Sequence, residues 1–198
     1  MKAEFHYDFG SPNAWLSHRI IPGIEERTGA TFEYVPVLLG GIFKETGNVS
    51  PMVSLQGIRN KAEYQQIETD RFLKRHGITD FQWNPFFPLN SLAIMRGAVY
   101  ASGQSYYKKY IEVVFRHMWS TPKKLDDREI LAGVLADEGL PASEIMTAIE
   151  DPQVKQKLIS NTSRSVQMGS FGCPTFYISG AIYFGKDKLQ EIEEQLGG

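Results

Sequence analysis

Hydrophobic and polar positions alternate at the start of the chain. Ala3, Phe5, Tyr7 and Phe9 fall on one face and Glu4, His6 and Asp8 on the other, a period of two that predicts a strand. From Asn13 to Thr28 the period lengthens: Trp15, Leu16, Ile20 and Ile24 recur at near-helical spacing, and Gly29 stands where a helix would stop. Pro22, inside this run, is expected to kink or divide it. A second strand, TFEYVPVLL, follows, so the opening reads βαβ, with a right-handed crossover if the strands are parallel.

The middle changes character. GGIFKETGNVSP, rich in Gly, Asn, Ser and Pro, reads as a loop. Beyond it Leu55, Ile58, Ala62, Ile67 and Leu73 punctuate a polar stretch ending at His76-Gly77, a helix with its C-cap. NPFFPLNS is a turn region and LAIMRGAVYAS a helix. YYKKYIEVVFRHMW is amphipathic, with Tyr107, Tyr110, Ile111, Val114, Phe115 and Met118 on one stripe. Asp126 is placed to cap DREILAGVLADEG, and helical pattern from Ser143 to Met168 is interrupted near Asp151-Pro152. The tail returns to β: PTFYIS and AIYFG flank Gly180 as a hairpin, and KDKLQEIEEQL closes the chain as a helix. A βαβ unit followed at a distance by ββα is the thioredoxin arrangement. The expected fold is α/β, a thioredoxin-like domain from residues 1–40 and 165–198 split by an all-helical insertion at 41–164.

Composition narrows the function. At 42% hydrophobic and 22% charged residues the chain is ordinary for a soluble globular protein. A net charge of −2, with both signs interspersed, points away from a nucleic-acid surface or a polybasic membrane patch. The opening MKAEFHYDFG lacks the long apolar run of a signal peptide, and no segment approaches the ~20 apolar residues of a membrane span. One cysteine, Cys173, leaves no internal disulfide. A cytoplasmic location is therefore expected, and the sequons at Asn48 and Asn161 read as chance matches.

In a thioredoxin arrangement the active group sits at the N-terminus of the first helix, and a proline precedes the third strand. Those positions here read Ser11-Pro12-Asn13-Ala14 and Cys173-Pro174. Without cysteine at the first, C-x-x-C dithiol exchange is excluded. Serine then proline is also a favoured N-cap and first helical residue, so capping alone accounts for the pair. The alternative is that the hydroxyl and the positive helix end face a ligand that becomes an anion, such as a thiolate. Both readings stand at this point. Cys173 has no histidine near it in sequence and reads as a buried thiol. His6, His18, His76 and His117 show no metal spacing, GSFG and LGG lack the spacing of a phosphate loop, and Arg96 reads as a salt-bridge partner.

Five segments in order, DFGSPNAW, LLGGIFKETGN, NPFFPLNSLAIMRGA, FGCPTF and YFGKDKL, carry a resemblance over nearly the whole chain. The sequence resembles the kappa-class glutathione transferases and, more closely, the 2-hydroxychromene-2-carboxylate isomerases of that superfamily. The resemblance implies a DsbA-like architecture with glutathione as cofactor. It implies that Ser11 hydrogen-bonds the glutathione sulfur and favours its thiolate, and that Asn48 lies near the same sulfur and the substrate. Cys173 would pair its backbone with the cysteinyl part, before a cis Pro174. Lys61 matches a family lysine, the expected partner for a glutathione carboxylate. Asp187, with Lys186 beside it in place of a family serine, would meet the γ-glutamyl ammonium. The implied activity is a glutathione-dependent isomerase acting on a small aromatic-degradation intermediate through a transient glutathione adduct, in a cytoplasmic homodimer. The alternatives are a glutathione transferase and a non-catalytic glutathione-binding protein.

Overall fold

The computed structural model describes residues 2–197. Strands β1 (Lys2–Tyr7), β2 (Thr31–Pro36), β3 (Thr175–Ile178) and β4 (Ala181–Phe184) form a sheet of order β2-β1-β3-β4. β1 lies parallel to β2, from Lys2 opposite Thr31 to Tyr7 opposite Pro36, and antiparallel to β3. β3 and β4 make the expected hairpin about Ser179-Gly180. Helix α1 (Pro12–Thr28) crosses from β1 to β2 and ends at Gly29, whose left-handed φ of 69° suits glycine. It runs through Pro22 as one element, so the expected division does not occur.

Between β2 and β3 come eight helices: α2 (Leu39–Thr46), α3 (Pro51–Ser54), α4 (Lys61–His76), α5 (Leu92–Ala101), α6 (Tyr107–Trp119), α7 (Arg128–Asp137), α8 (Ala142–Ala148) and α9 (Pro152–Gln167). A 3-10 turn, Lys186–Lys188, leads into α10 (Leu189–Gly197). The segment read as loop, GGIFKETGNVSP, contains most of α2. Its two glycines weaken the local helix signal, and the helix is secured from elsewhere, by the Asp8 carboxylate accepting the Leu39 N–H at 2.8 Å. Leu55 and Ile58 precede α4, which begins only at Lys61. The cap of α7 is Asp127, which accepts from the N–H groups of Glu129 and Ile130, while Asp126 pairs with Lys124.

One face of β1 carries Phe5 and Tyr7 into an aromatic core, with Phe5 stacked on Phe176 and Tyr7 against Phe115 of α6. The other face is buried too. Glu4, His6 and Asp8 are no more than 4% exposed, because β1 is interior to the sheet and α9 covers it. There Arg164 of α9 donates to the Glu4 carboxylate, which also holds His6 at 2.9 Å, and His6 Nδ1 meets Ser165 Oγ at 2.8 Å. Burial pushes the His6 pKa down, against the opposing pull of Glu4.

Two hydrogen bonds clasp the helical block where it leaves and rejoins the sheet: Asn161 Nδ2 donates to the Pro36 carbonyl at 3.0 Å, and the Leu38 N–H to Thr162 Oγ1 at 2.9 Å. Deeper inside, Trp119 Nε1 donates to the Phe9 carbonyl at 2.8 Å, tying the end of α6 to the segment that enters α1.

Candidate functional site

The chain turns sharply between β1 and α1, and Ser11 is the N-cap of α1. Its side chain is nearly buried, at 4% exposure. Ser11 Oγ accepts the Ala14 N–H at 3.2 Å and donates to the Cys173 carbonyl at 3.0 Å. The capping reading is therefore realised, and the same hydroxyl bridges to the loop before β3. No acidic residue occupies the first turn of α1, so the positive end of a 17-residue helix faces this point uncompensated by its own side chains.

Asp8 organises the surroundings. Its buried carboxylate accepts from the Gly10 N–H (2.8 Å), the Leu39 N–H (2.8 Å) and Ser91 Oγ (2.9 Å). It thus joins the turn before Ser11, the start of α2 and the N-cap of α5. Burial raises the Asp8 pKa, and the three donors oppose that shift. Sequence reasoning placed Asp8 on the polar face of a strand and missed it. The one available signal was a carboxylate three residues before the helix-capping serine.

Cys173 is buried against Val35, Val37 and Ile42, and its bond to Pro174 is cis. Burial, with the Asp8 charge adding to it, pushes the thiol pKa well up. At neutral pH this is a protonated thiol, not a nucleophile. Asn48, two residues past the end of α2, donates from Nδ2 to the Phe171 carbonyl at 2.7 Å and so reaches the loop that carries Cys173. Between them Gly172 lies under the ring of Phe184. A Cβ there would fall 2.9 Å from Phe184 Cε2, and Phe184 in turn packs on Phe171 with ring centroids 4.4 Å apart. Both rings are more than 40% exposed.

Ser11 is hydrogen-bonded to the Cys173 carbonyl, next to Pro174, and Asn48 to the Phe171 carbonyl two residues earlier in the same loop. Lys186 and Asp187 follow Gly185, whose N–H donates to the Pro174 carbonyl at 3.0 Å, so their turn adjoins the cis-proline loop. Lys61 is the exposed first residue of α4. Lys186, in the 3-10 turn before α10, sets its ammonium 4.8 Å from the ring centroid of Phe72 of α4, and it donates to Asp187. The Asp187 carboxylate is 76% exposed. The salt bridge expected for Arg96 is not present among the described residues. Its Nε is buried without a hydrogen-bond partner, because α5 directs the side chain into a cleft against α2 and α9.

No helix among the described residues is long and apolar enough to cross a membrane. A family model described as a DSBA-like thioredoxin domain matches residues 3–197. The 2-hydroxychromene-2-carboxylate isomerase of Sphingobium xenophagum is 24% identical over 199 residues, spanning 98% of this chain and 96% of its own. Glutathione S-transferase kappa 1 of Homo sapiens is 23% identical over 204 residues, spanning 98% of this chain and 90% of its own. A solved 2-hydroxychromene-2-carboxylate isomerase superposes with a TM-score of 0.85 at 23% identity, over 100% of this chain and 95% of that one. The sheet order, the helical block set between β2 and β3, and a match running from residue 3 to residue 197 agree on one conclusion: the chain belongs to the DsbA-like thioredoxin family.

Proposed function

We propose that the chain is a glutathione-dependent isomerase of the 2-hydroxychromene-2-carboxylate type, acting on a small aromatic-degradation intermediate. The observation that carries this reading is the Ser11 hydroxyl held between the N-terminus of α1 and the Cys173 carbonyl, with Asn48 anchored to the same loop. Relatives named as isomerases and as glutathione transferases, each matched along nearly the full chain, support an enzyme. Under this reading the protein is a cytoplasmic homodimer, with neither nucleic acid nor membrane as a partner.

The residues fit glutathione. A hydroxyl at a helix N-terminus suits a sulfur anion, and an exposed lysine and an exposed aspartate suit its carboxylate and ammonium. When bound, glutathione supplies a thiolate that adds reversibly to a conjugated substrate. Ser11 has one O–H to give and lone pairs to spare. Turning that O–H from the Cys173 carbonyl to the sulfur keeps the Ala14 cap and adds a charge-assisted bond. Cys173 offers its backbone to the cysteinyl part, and Asn48 its amide beside the sulfur. Lys61 meets a carboxylate, and Asp187, next to Lys186, exchanges one ammonium partner for another.

Calorimetric titration with millimolar glutathione is expected to show saturable binding, and its absence overturns the reading. With 2-hydroxychromene-2-carboxylate and trace glutathione, turnover should proceed with the thiol recovered in full. A stable thioether formed from an aryl halide, without isomerisation, would instead identify a transferase, the reading the kappa relatives support.

A further inference from the structure

A cleft of about 110 Å³ opens between α2, α5 and α9, and none of its lining residues belongs to the site around Ser11. Leu38, Leu92, Leu158 and Ile159 make its walls apolar. Into it comes Arg96, whose Nε is buried with no hydrogen-bond partner and whose guanidinium has no ion pair among the described residues. The other charged groups on the lining have partners other than Arg96. Lys155 pairs with Glu150 at 2.7 Å, and Glu45 accepts from Ser163 at 3.0 Å.

Buried polar groups are paired in the great majority of cases, and an unpaired one carries its full desolvation cost. A guanidinium fork matches a carboxylate in shape and charge. The walls call for hydrocarbon behind that head group. The volume is several times the ~10–15 Å³ that one water needs, and below the roughly 300 Å³ at which drug-sized pockets begin. That limits the body to a few carbons, and Glu45 on the lining weighs against a second negative charge. We propose that this cleft is a binding site for a short-chain aliphatic monocarboxylate, its carboxylate on Arg96 and its chain among Leu38, Leu92, Leu158 and Ile159.

The site is independent of the glutathione reading, yet it adjoins the same helix. Leu38, Gly41 and Glu45 line the cleft from one side of α2, while Leu39 and Ile42 pack with Val35, Val37 and Cys173 on the other. An occupant therefore bears on the helix that Asp8 holds at its start and Asn48 follows at its end.

Thermal denaturation of the full chain in increasing sodium valerate, at ionic strength held constant with sodium chloride, tests the proposal. A saturable rise in Tm is expected with valerate, and none with n-pentanol or n-pentylamine. Arg96→Met should abolish the rise, since it removes the guanidinium that would hold the carboxylate while keeping a side chain of similar length. Ile159 is 56% exposed at the mouth of the cleft, so Ile159→Trp should fold normally, fill the opening and also abolish the rise. If Arg96→Met does not fold, Ile159→Trp decides alone. No saturable rise in the parent protein, an equal rise with pentanol, or a rise that persists in either folded variant overturns the proposal.

Discussion

Ser11 serves two backbone partners at once, and Ser11→Ala separates their contributions. Loss of the cap should cost about 1 kcal/mol of stability in urea denaturation. If the hydroxyl also serves bound glutathione, a hydrogen bond to a charged sulfur goes with it. That bond is worth roughly 1.5–3 kcal/mol, or about one to two pKa units of the thiol. The ultraviolet thiolate band titrated against pH in both proteins should therefore shift upward in the variant, and an unchanged thiol pKa would leave Ser11 as a cap alone. Cys173 makes the converse case. Its thiol is buried and held protonated, so Cys173→Ser should keep glutathione affinity and turnover; a folded but inactive variant would make the sulfur itself chemical. Asp8→Asn replaces an acceptor of three hydrogen bonds with a group that presents N–H to some of those donors. It should cost roughly 1.5–3 kcal/mol, read by the same denaturation.

Among the elements, α5 and α6 pack unusually closely at Gly97. A Cβ there would lie 2.1 Å from the Tyr110 hydroxyl oxygen, which is itself committed to the Ile94 carbonyl at 2.8 Å. Glycine to alanine within a helix ordinarily gains about 0.8–1.0 kcal/mol. Gly97→Ala should instead lose about 1–3 kcal/mol through overpacking, and a gain would show that Tyr110 can move aside freely. Elements such as α1, α6, α9 and the hairpin are legible in the sequence because each carries its own signal: a stripe, a capping residue, or a glycine at the turn. α2 is not, because the group that satisfies its first N–H is Asp8, 31 residues away. The same limit applies at the site. Ser11 and Cys173 can be found from their places in the βαβ–ββα order. The burial of Glu4, His6 and Asp8 cannot, since alternation marks two faces without saying which is covered. Here α9 covers the second, with Arg164 reaching Glu4 across 160 positions of sequence.

For the molecule as a whole, that covered face sets a dependence on pH. Burial holds the His6 pKa below its ordinary 6.5 in the folded protein. Below pH 6.5 the unfolded chain binds a proton that the native state does not, so stability should be fully present above this pH and decline as acid is added. His76 is lowered in the same sense, so the attribution needs a variant. His6→Gln keeps a hydrogen-bonding side chain and should flatten the slope of unfolding free energy between pH 6.5 and 5. An unaltered slope would assign it to other groups. Asp8, whose pKa burial raises above 3.8, works in the opposite sense at lower pH, where its protonation favours the native state.

The two clasps at Pro36–Asn161 and Leu38–Thr162 fix the points at which the helical block departs from the sheet and returns to it. In polymer terms, the chain between them is a loop with tethered ends. Doubling the length of such a loop adds only about 0.6 kcal/mol of closure entropy. Insertions and deletions in the connection from Ser50 to Asn60, beyond Asn48, are therefore thermodynamically cheap, and they leave the hydrogen bond between Ser11 and Cys173 where it is. A lineage built on this plan can change what its helical block recognises while the edge beside Cys173 stays constant.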